Sequence, residues 1–262
     1  MHQYLFFIGN FPIRLYGIFF SLGIISGCIT AYFLLKKDRR GWESHMFDLG
    51  LVIAFAGIVG GRLWDVFFFD WEYYHNHLLE IPYIWQGGMA IQGGIIFACI
   101  AAYFYLKKHQ IPVLPFADTV TPGIILGQAI GRIANFMNGD AFGHPTGQDF
   151  GLLYPDTTLA YHTYGAQPLW PAEVWECQGD LLIFVLLLWY GCKTRTGGTT
   201  FCLYIMLYSF LRFFLENYRG DYGTLILGLK SAQLTSLAAF AGAFILFLYF
   251  HFKHKSKSGI SE

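Results

Sequence analysis

The chain has 262 residues, 55% of them hydrophobic and only 13% charged, with 17 Lys+Arg balancing 17 Asp+Glu. Soluble domains carry roughly 25% charged residues, so the composition argues against a soluble globular protein, and the zero net charge removes any electrostatic case for nucleic-acid binding. The five cysteines, Cys28, Cys99, Cys177, Cys192 and Cys202, include no CxxC pair, and the nine histidines are scattered, so neither a disulfide framework nor a metal site is indicated.

In chain order, no basic residue precedes the first apolar run of MHQYLFFIGNFPIRLYG, so no cleavable secretory signal is expected and the first apolar segment should persist as a helix. A membrane span needs about 20 residues. Apolar stretches of that kind predict spans near 13–35, 46–69, 87–106, 114–137, 172–191, 199–218 and 231–251. The expected fold is therefore an all-α integral membrane protein with seven transmembrane helices. No internal repeat or low-complexity linker interrupts it, so 1–262 reads as one polytopic membrane domain.

Lysine and arginine set the orientation. Lys36, Lys37, Arg39, Arg40, Lys107, Lys108, Lys193, Arg195, Lys253, Lys255 and Lys257 all fall on one side, eleven of the 17 cations. By the positive-inside rule that side is the cytoplasm, which leaves the N-terminus outside and the C-terminus inside. The two longest polar connections, 70–86 and 138–171, contain no Lys or Arg and face outward, and 138–171 is long enough for a small extracytoplasmic head. Trp71, Tyr73, Tyr74, Tyr83, Trp85 and Trp170 suit an interfacial belt there.

Six cations escape this rule: Arg14, Arg62, Arg132, Arg212, Arg219 and Lys230. Arg14 and Lys230 are near enough to the surface to snorkel. An arginine within a span costs at least ~2.5–3.5 kcal/mol and is expected to face the bundle interior or water. In the fourth span Gly123, Gly127 and Gly131 recur every four residues and make a face for close helix packing. Arg132 and Asn135 share a face three residues apart, and Asn138, Asp140 and Gly143 follow as the helix ends. Asp118, earlier on that helix, is a possible partner for a cation. The sixth span carries a second polar stripe: Tyr208, Arg212 and Glu216 at i, i+4 and i+8, then Arg219. Arg212–Glu216 reads either as a self-neutralised pair or as half of an anion clamp with Arg132. Arginine stays charged in a membrane and forks two hydrogen bonds onto a phosphate, and the abundant anion at that depth is a lipid headgroup. Glu216, Asp140, Tyr16 and Tyr208 add groups able to accept or relay a proton, which points from binding toward chemistry.

These residues resemble the bacterial prolipoprotein diacylglyceryl transferase family, whose signature is G-R-x-[GA]-N-F-hydrophobic-N-x-E-x-x-G. Gly131, Arg132, Ala134, Asn135, Phe136, Asn138 and Gly143 match it, with Asp140 at the acidic position. Further landmarks run in order: Arg14, Tyr16 and Gly17; "GGR" at 60–62; "WQGGM" at 85–89; "FAD" at 116–118; and Tyr208, Arg212, Glu216 and Arg219. The chain departs from the family at Gln92, where histidine is usual, and in "WPAEVWE", where Trp170, Glu173 and Trp175 replace His, Gln and Tyr.

The resemblance implies a multi-pass enzyme of the bacterial inner membrane. It would transfer the diacylglyceryl group of phosphatidylglycerol to the lipobox cysteine thiol of a prolipoprotein signal peptide, forming a thioether and releasing glycerol-1-phosphate. Arg132 and Arg212 would orient the phosphate and stabilise its growing charge. Asn135 and Tyr16 would position the headgroup, and Glu216 would hold Arg212 or take the thiol proton. Asn138, Asp140, Gly143, Gln92 and Tyr208 complete the expected substrate site, with Gln92 able to orient groups but not to act as a base. No cofactor or metal is implied. A divergent paralogue with another acceptor, a lipid or ion transporter with buried charges, and a non-catalytic scaffold stay open as alternatives.

Overall fold

The computed structural model describes residues 4–8, 11–193, 197–220, 225–226 and 228–258. A two-stranded antiparallel hairpin, β1 (Tyr4–Ile8) and β2 (Phe11–Arg14), precedes the first helix, an element that no alternation in the sequence announced. Helices follow: α1 (Leu15–Asp38), α2 (Met46–Trp64), the single turn α3 (Trp71–Tyr74), α4 (Ile91–Lys108), α5 (Val113–Asn138), the short α6 (Leu159–Tyr164), α7 (Ala172–Lys193), α8 (Thr199–Leu215) and α9 (Ser231–Ser258). A small β-pair, β3 (Leu225–Ile226) with β4 (Leu229–Lys230), lies between α8 and α9. Each of the seven apolar segments read from the sequence overlaps one long helix. Among the described residues, Leu15–Asp38, Trp42–Phe69, Val113–Asn138 and Ser231–Lys253 are long and apolar enough to cross a membrane, and α8 is a shorter apolar helix. Of the cations assigned to one side, Arg195 lies outside the described residues.

The chain forms two compact units, one of residues 1–34 and 117–262, the other of residues 35–116. In the first, α1 and α5 pack backbone to backbone. A Cβ at Gly27 would stand 2.7 Å from the Gly123 carbonyl oxygen, and one at Gly23 would stand 2.8 Å from that of Gly127. Glycine at these positions is what permits so close an approach. Gly131, expected to extend that face, has open space around it. In the second unit α2 and α4 approach in the same way: a Cβ at Gly60 would meet the Gly93 carbonyl at 2.6 Å.

Among the described residues Asp118 forms no ion pair with a cation. Its carboxylate accepts the backbone N–H of Gly198 at 2.6 Å and of Phe201 at 2.8 Å, at the start of α8. The first N–H groups of a helix have no partner within it, and an acidic side chain there satisfies them and favours the positive end of the helix dipole. Among the described residues Asp118 acts as a cap supplied from a different helix.

Candidate functional site

The site grows from the C-terminal end of α5. Arg132 and Asn135 lie one turn apart, as their spacing requires, with Arg132 Nη1 donating to Asn135 Oδ1 at 3.4 Å. The amide of Asn135 is held from behind: its Nδ2 donates to Asp140 Oδ1 at 2.8 Å, while Asn138 Nδ2 donates to Asp140 Oδ2 at 3.0 Å. Asp140 thus turns the Asn135 carbonyl oxygen toward the guanidinium. Tyr16, on α1, sits near enough to both Asp140 and Arg132 to feel their charges.

From α8, Arg212 lies between two carboxylates. Its Nη2 is 2.8 Å from Glu216 Oε2, one turn along the same helix, and its Nη1 is 3.1 Å from Oε2 of Glu176 on α7. Glu176 also receives Arg132 Nη2 on Oε1 at 2.9 Å and Arg219 Nη1 on Oε2 at 3.5 Å. Three arginines therefore converge on one carboxylate. Tyr208 stands between the two stripes: its hydroxyl accepts from Arg132 Nη2 at 3.3 Å and lies 3.4 Å from Glu176 Oε1. The acids are enclosed, Glu176 1% and Glu216 0% exposed. The side chains of Arg132 and Arg212 keep 20% and 15% exposure, so the cations and not the acids front the accessible space. Buried charges of this number are tolerable only as a mutually compensated network.

Lys230 joins the network instead of snorkelling. Its Nζ donates to the carbonyls of Arg219 at 2.6 Å and Glu216 at 2.9 Å and lies 3.9 Å from Glu216 Oε1. Glu216 is thereby held from several sides, by Arg212, Arg219 and Lys230.

The 138–171 segment packs around Phe142, Tyr154, Ala160 and Leu169. It is tied to the end of α8 by backbone pairing: His144 N–H donates to Tyr218 O at 2.9 Å, and Gly220 N–H to Phe142 O at 3.0 Å. Gly143 forms the bridge with Arg219. A Cβ at Gly143 would stand 2.6 Å from that of Trp170, so glycine is what lets the backbone here pass so close to Trp170 while it bridges to Arg219. Trp170, Trp175 and Tyr218 pack edge-to-face or tilted beside it, with ring centroids 5.3 to 5.5 Å apart. At the base of the segment Tyr154 donates its hydroxyl to Glu173 Oε1. Burial, first, and the adjacent Glu173 carboxylate raise the Tyr154 phenol well above its ordinary value, so it stays protonated and keeps donating.

Of the expected residues, the structure brings Arg132, Asn135, Asn138, Asp140, Tyr208, Arg212 and Glu216 into one connected network, with Gly143 bracing it. Gln92 is an exposed residue in the first turn of α4, in the second unit. Arg62, also in that unit, is spent on structure. Its Nε donates to Ile81 O at 2.7 Å, its Nη1 to the carbonyls of Gly87 at 2.7 Å and Gly88 at 3.0 Å, and its Nη2 to Tyr74 Oη at 3.0 Å and Glu80 O at 3.2 Å. Reading the sequence missed Glu176, the centre of the network, and its neighbour Asp180. The signal was present: Glu173, Glu176 and Asp180 recur at intervals of three and four within an otherwise apolar helix, which places three acids on one face. Among the described residues no cluster of three or more His, Cys, Asp or Glu is arranged to hold a metal ion. What the network offers is a set of convergent guanidinium donors, suited to a tetrahedral or planar oxyanion.

The family model described as prolipoprotein diacylglyceryl transferase matches residues 3–249. A Clostridium botulinum (strain Langeland) protein named phosphatidylglycerol–prolipoprotein diacylglyceryl transferase is 35% identical over 238 residues, 90% of this chain and 92% of its own. Proteins of the same name from Finegoldia magna and Clostridium kluyveri are 36% and 35% identical, the first over 94% of both chains and the second over 93% of this chain and 94% of its own.

Proposed function

The chain belongs to the prolipoprotein diacylglyceryl transferase family, and on that premise we propose that it transfers the diacylglyceryl group of phosphatidylglycerol to the lipobox cysteine of prolipoprotein precursors. The observation that carries this reading is the meeting of Arg132 and Arg212, from two helices, at one anionic centre with part of each guanidinium still accessible. The thiol loses its proton to water, the sulfur attacks the glyceryl carbon next to the phosphoester oxygen, and that C–O bond breaks. Glycerol-1-phosphate leaves with one more negative charge than the diester carried. Donors already aimed at the phosphate stabilise that added charge without reorganising. Arg132 and Arg212 take this role, Asn135 and Tyr16 position the headgroup, Tyr208 aligns Arg132, and Glu216 anchors Arg212. Asn138, Asp140 and Gly143 hold the donors in place.

In this reading all seven long helices cross the bacterial inner membrane and the chain acts as one polytopic domain, with the N-terminus and the 138–171 head outside and the C-terminus in the cytoplasm. Its support is the one-sided distribution of Lys and Arg. The 18 residues of α4 also reach about 27 Å at 1.5 Å per residue, close to the thickness of the hydrocarbon core. Purified protein incubated with phosphatidylglycerol and a lipobox peptide should yield a thioether-linked diacylglyceryl peptide and glycerol-1-phosphate. Absence of both products, in protein that remains folded, would favour the transporter or scaffold alternatives, and transfer to a different acceptor would identify a divergent paralogue. For the topology, a cysteine placed at position 147 on a cysteine-free background should react with an impermeant reagent from outside only.

A further inference from the structure

The three acids on the buried face of α7 have unequal surroundings. Glu173 is engaged by Tyr154. Asp180 is wholly buried, and neither of its oxygens has a hydrogen-bond partner among the described residues. Glu176 alone of the three lies among Arg132, Arg212 and Arg219, at 2.9, 3.1 and 3.5 Å. A carboxylate bridging two guanidinium groups offers them the same two-oxygen edge that a phosphodiester offers.

Arg212 shows how the site is divided. One of its terminal nitrogens is held at 2.8 Å by Glu216, which is anchored in turn by Arg219 and Lys230. The other meets Glu176. Arg132 is likewise held by Asn135, at 3.4 Å, and by Tyr208, whose hydroxyl accepts from it at 3.3 Å and lies 3.4 Å from Glu176 Oε1. Both arginines would therefore keep their places if Glu176 withdrew, and each would then have an unoccupied donor on the partly exposed side of the network.

We propose that Glu176 is an internal stand-in for the lipid phosphate: a positioning residue that holds the donor nitrogens of Arg132 and Arg212 together in the empty site, and that the phosphate must displace on binding. The proposal rests on the reading of Arg132 and Arg212 as the phosphate clamp. It assigns different work to two neighbouring acids, Glu216 as permanent anchor and Glu176 as exchangeable occupant. The same competition assists release, because the returning carboxylate expels glycerol-1-phosphate.

The test is Glu176→Gln, which keeps the shape and removes the charge. Binding of glycerol-1-phosphate to the purified protein, measured by titration calorimetry in detergent, should tighten about tenfold, the scale of one charge-assisted hydrogen bond. The KM for phosphatidylglycerol should fall with it, and kcat should not rise, because product leaves more slowly. Glu176→Asp keeps the charge on a shorter arm, loosens the bridge and should tighten binding about threefold on the same scale. If the glutamine variant fails to accumulate, the aspartate variant decides. A purely structural Glu176 predicts the opposite sign, because misplaced arginines bind the anion more weakly. Unchanged or weakened binding in a folded variant overturns the proposal. Arg132→Ala separates the two levels: if it binds glycerol-1-phosphate as wild type does, the clamp itself is wrong, whereas if it binds weakly and Glu176→Gln fails to tighten, only the competition is wrong.

Discussion

Arg62 and Arg132 are the same residue in comparable settings, each toward the C-terminal end of an apolar helix and each drawn out of water. Their partners differ. Arg62 is 3% exposed and gives its donors to four backbone carbonyls and a tyrosine hydroxyl, all between positions 74 and 88. Backbone carbonyls cannot move away without unravelling the segment that carries them, so this arginine is closed and acts as a staple for the 70–90 connection. Arg132 is engaged by side chains, Glu176, Tyr208 and Asn135, and it keeps 20% of its side-chain surface. The cost of bringing an arginine into an apolar segment is met in both cases, but only the second leaves part of the guanidinium side chain accessible. Intramembrane charge by itself therefore does not mark a site; what marks it is whether the compensating groups are replaceable.

The comparison breaks first at the clamp. Arg132→Ala and Arg212→Ala should each reduce turnover by about 10²–10³, the effect of losing a transition-state charge contact worth on the order of 2.7–4 kcal/mol, while the protein still accumulates in the membrane fraction. Arg132→Lys should be severely impaired as well, since lysine keeps the charge and loses the planar fork. Full lipobox-peptide transfer by well-folded Arg132→Ala would remove the distinction from Arg62. Conversely, Arg62→Ala should lower stability by about 1–3 kcal/mol, because the carbonyls of residues 80–88 lose the shared donor that ties them together, and leave activity per folded molecule near wild type. A normal thermal midpoint with lost turnover would move Arg62 into the chemistry.

Tyr154→Phe tests a neutral counterpart of the staple and should cost about 1–3 kcal/mol by stripping Glu173 of its donor. The phenol's folded value is raised above its unfolded value near 10. Its contribution should therefore be fully present below about pH 10 and be lost only as pH rises through the higher folded value. Thermal scans of wild type and variant should run parallel from neutral pH up to that point and converge above it; a gap that closes below pH 9 would contradict the assignment. The smallest effects are expected where the chain departs from the family signature. Asp140→Glu keeps a carboxylate for Asn135 and Asn138, and Gln92→His restores the usual residue; both should change turnover by less than about threefold, within the range of mild substitutions. Abolition of transfer by Gln92→His in folded protein would show that the second unit contributes more than a scaffold.

Sequence alone determined the long helices, because a run of about 20 apolar residues has few other ways to satisfy its backbone in lipid. It also determined that Arg132 faces with Asn135, and Tyr208 with Arg212 and Glu216, because the helical period puts residues three and four apart on one side whatever the rest of the fold does. Tertiary structure decided which stripe meets which. That Glu176 gathers three arginines, that Lys230 turns inward to Glu216, and that Asp118 caps α8 all depend on the rotation and depth of one helix against another. Arg62 and Arg132 look alike in sequence for the same reason: the carbonyls that close one and the carboxylate that leaves the other exchangeable are contributed by other segments, and packing alone chooses which segment arrives.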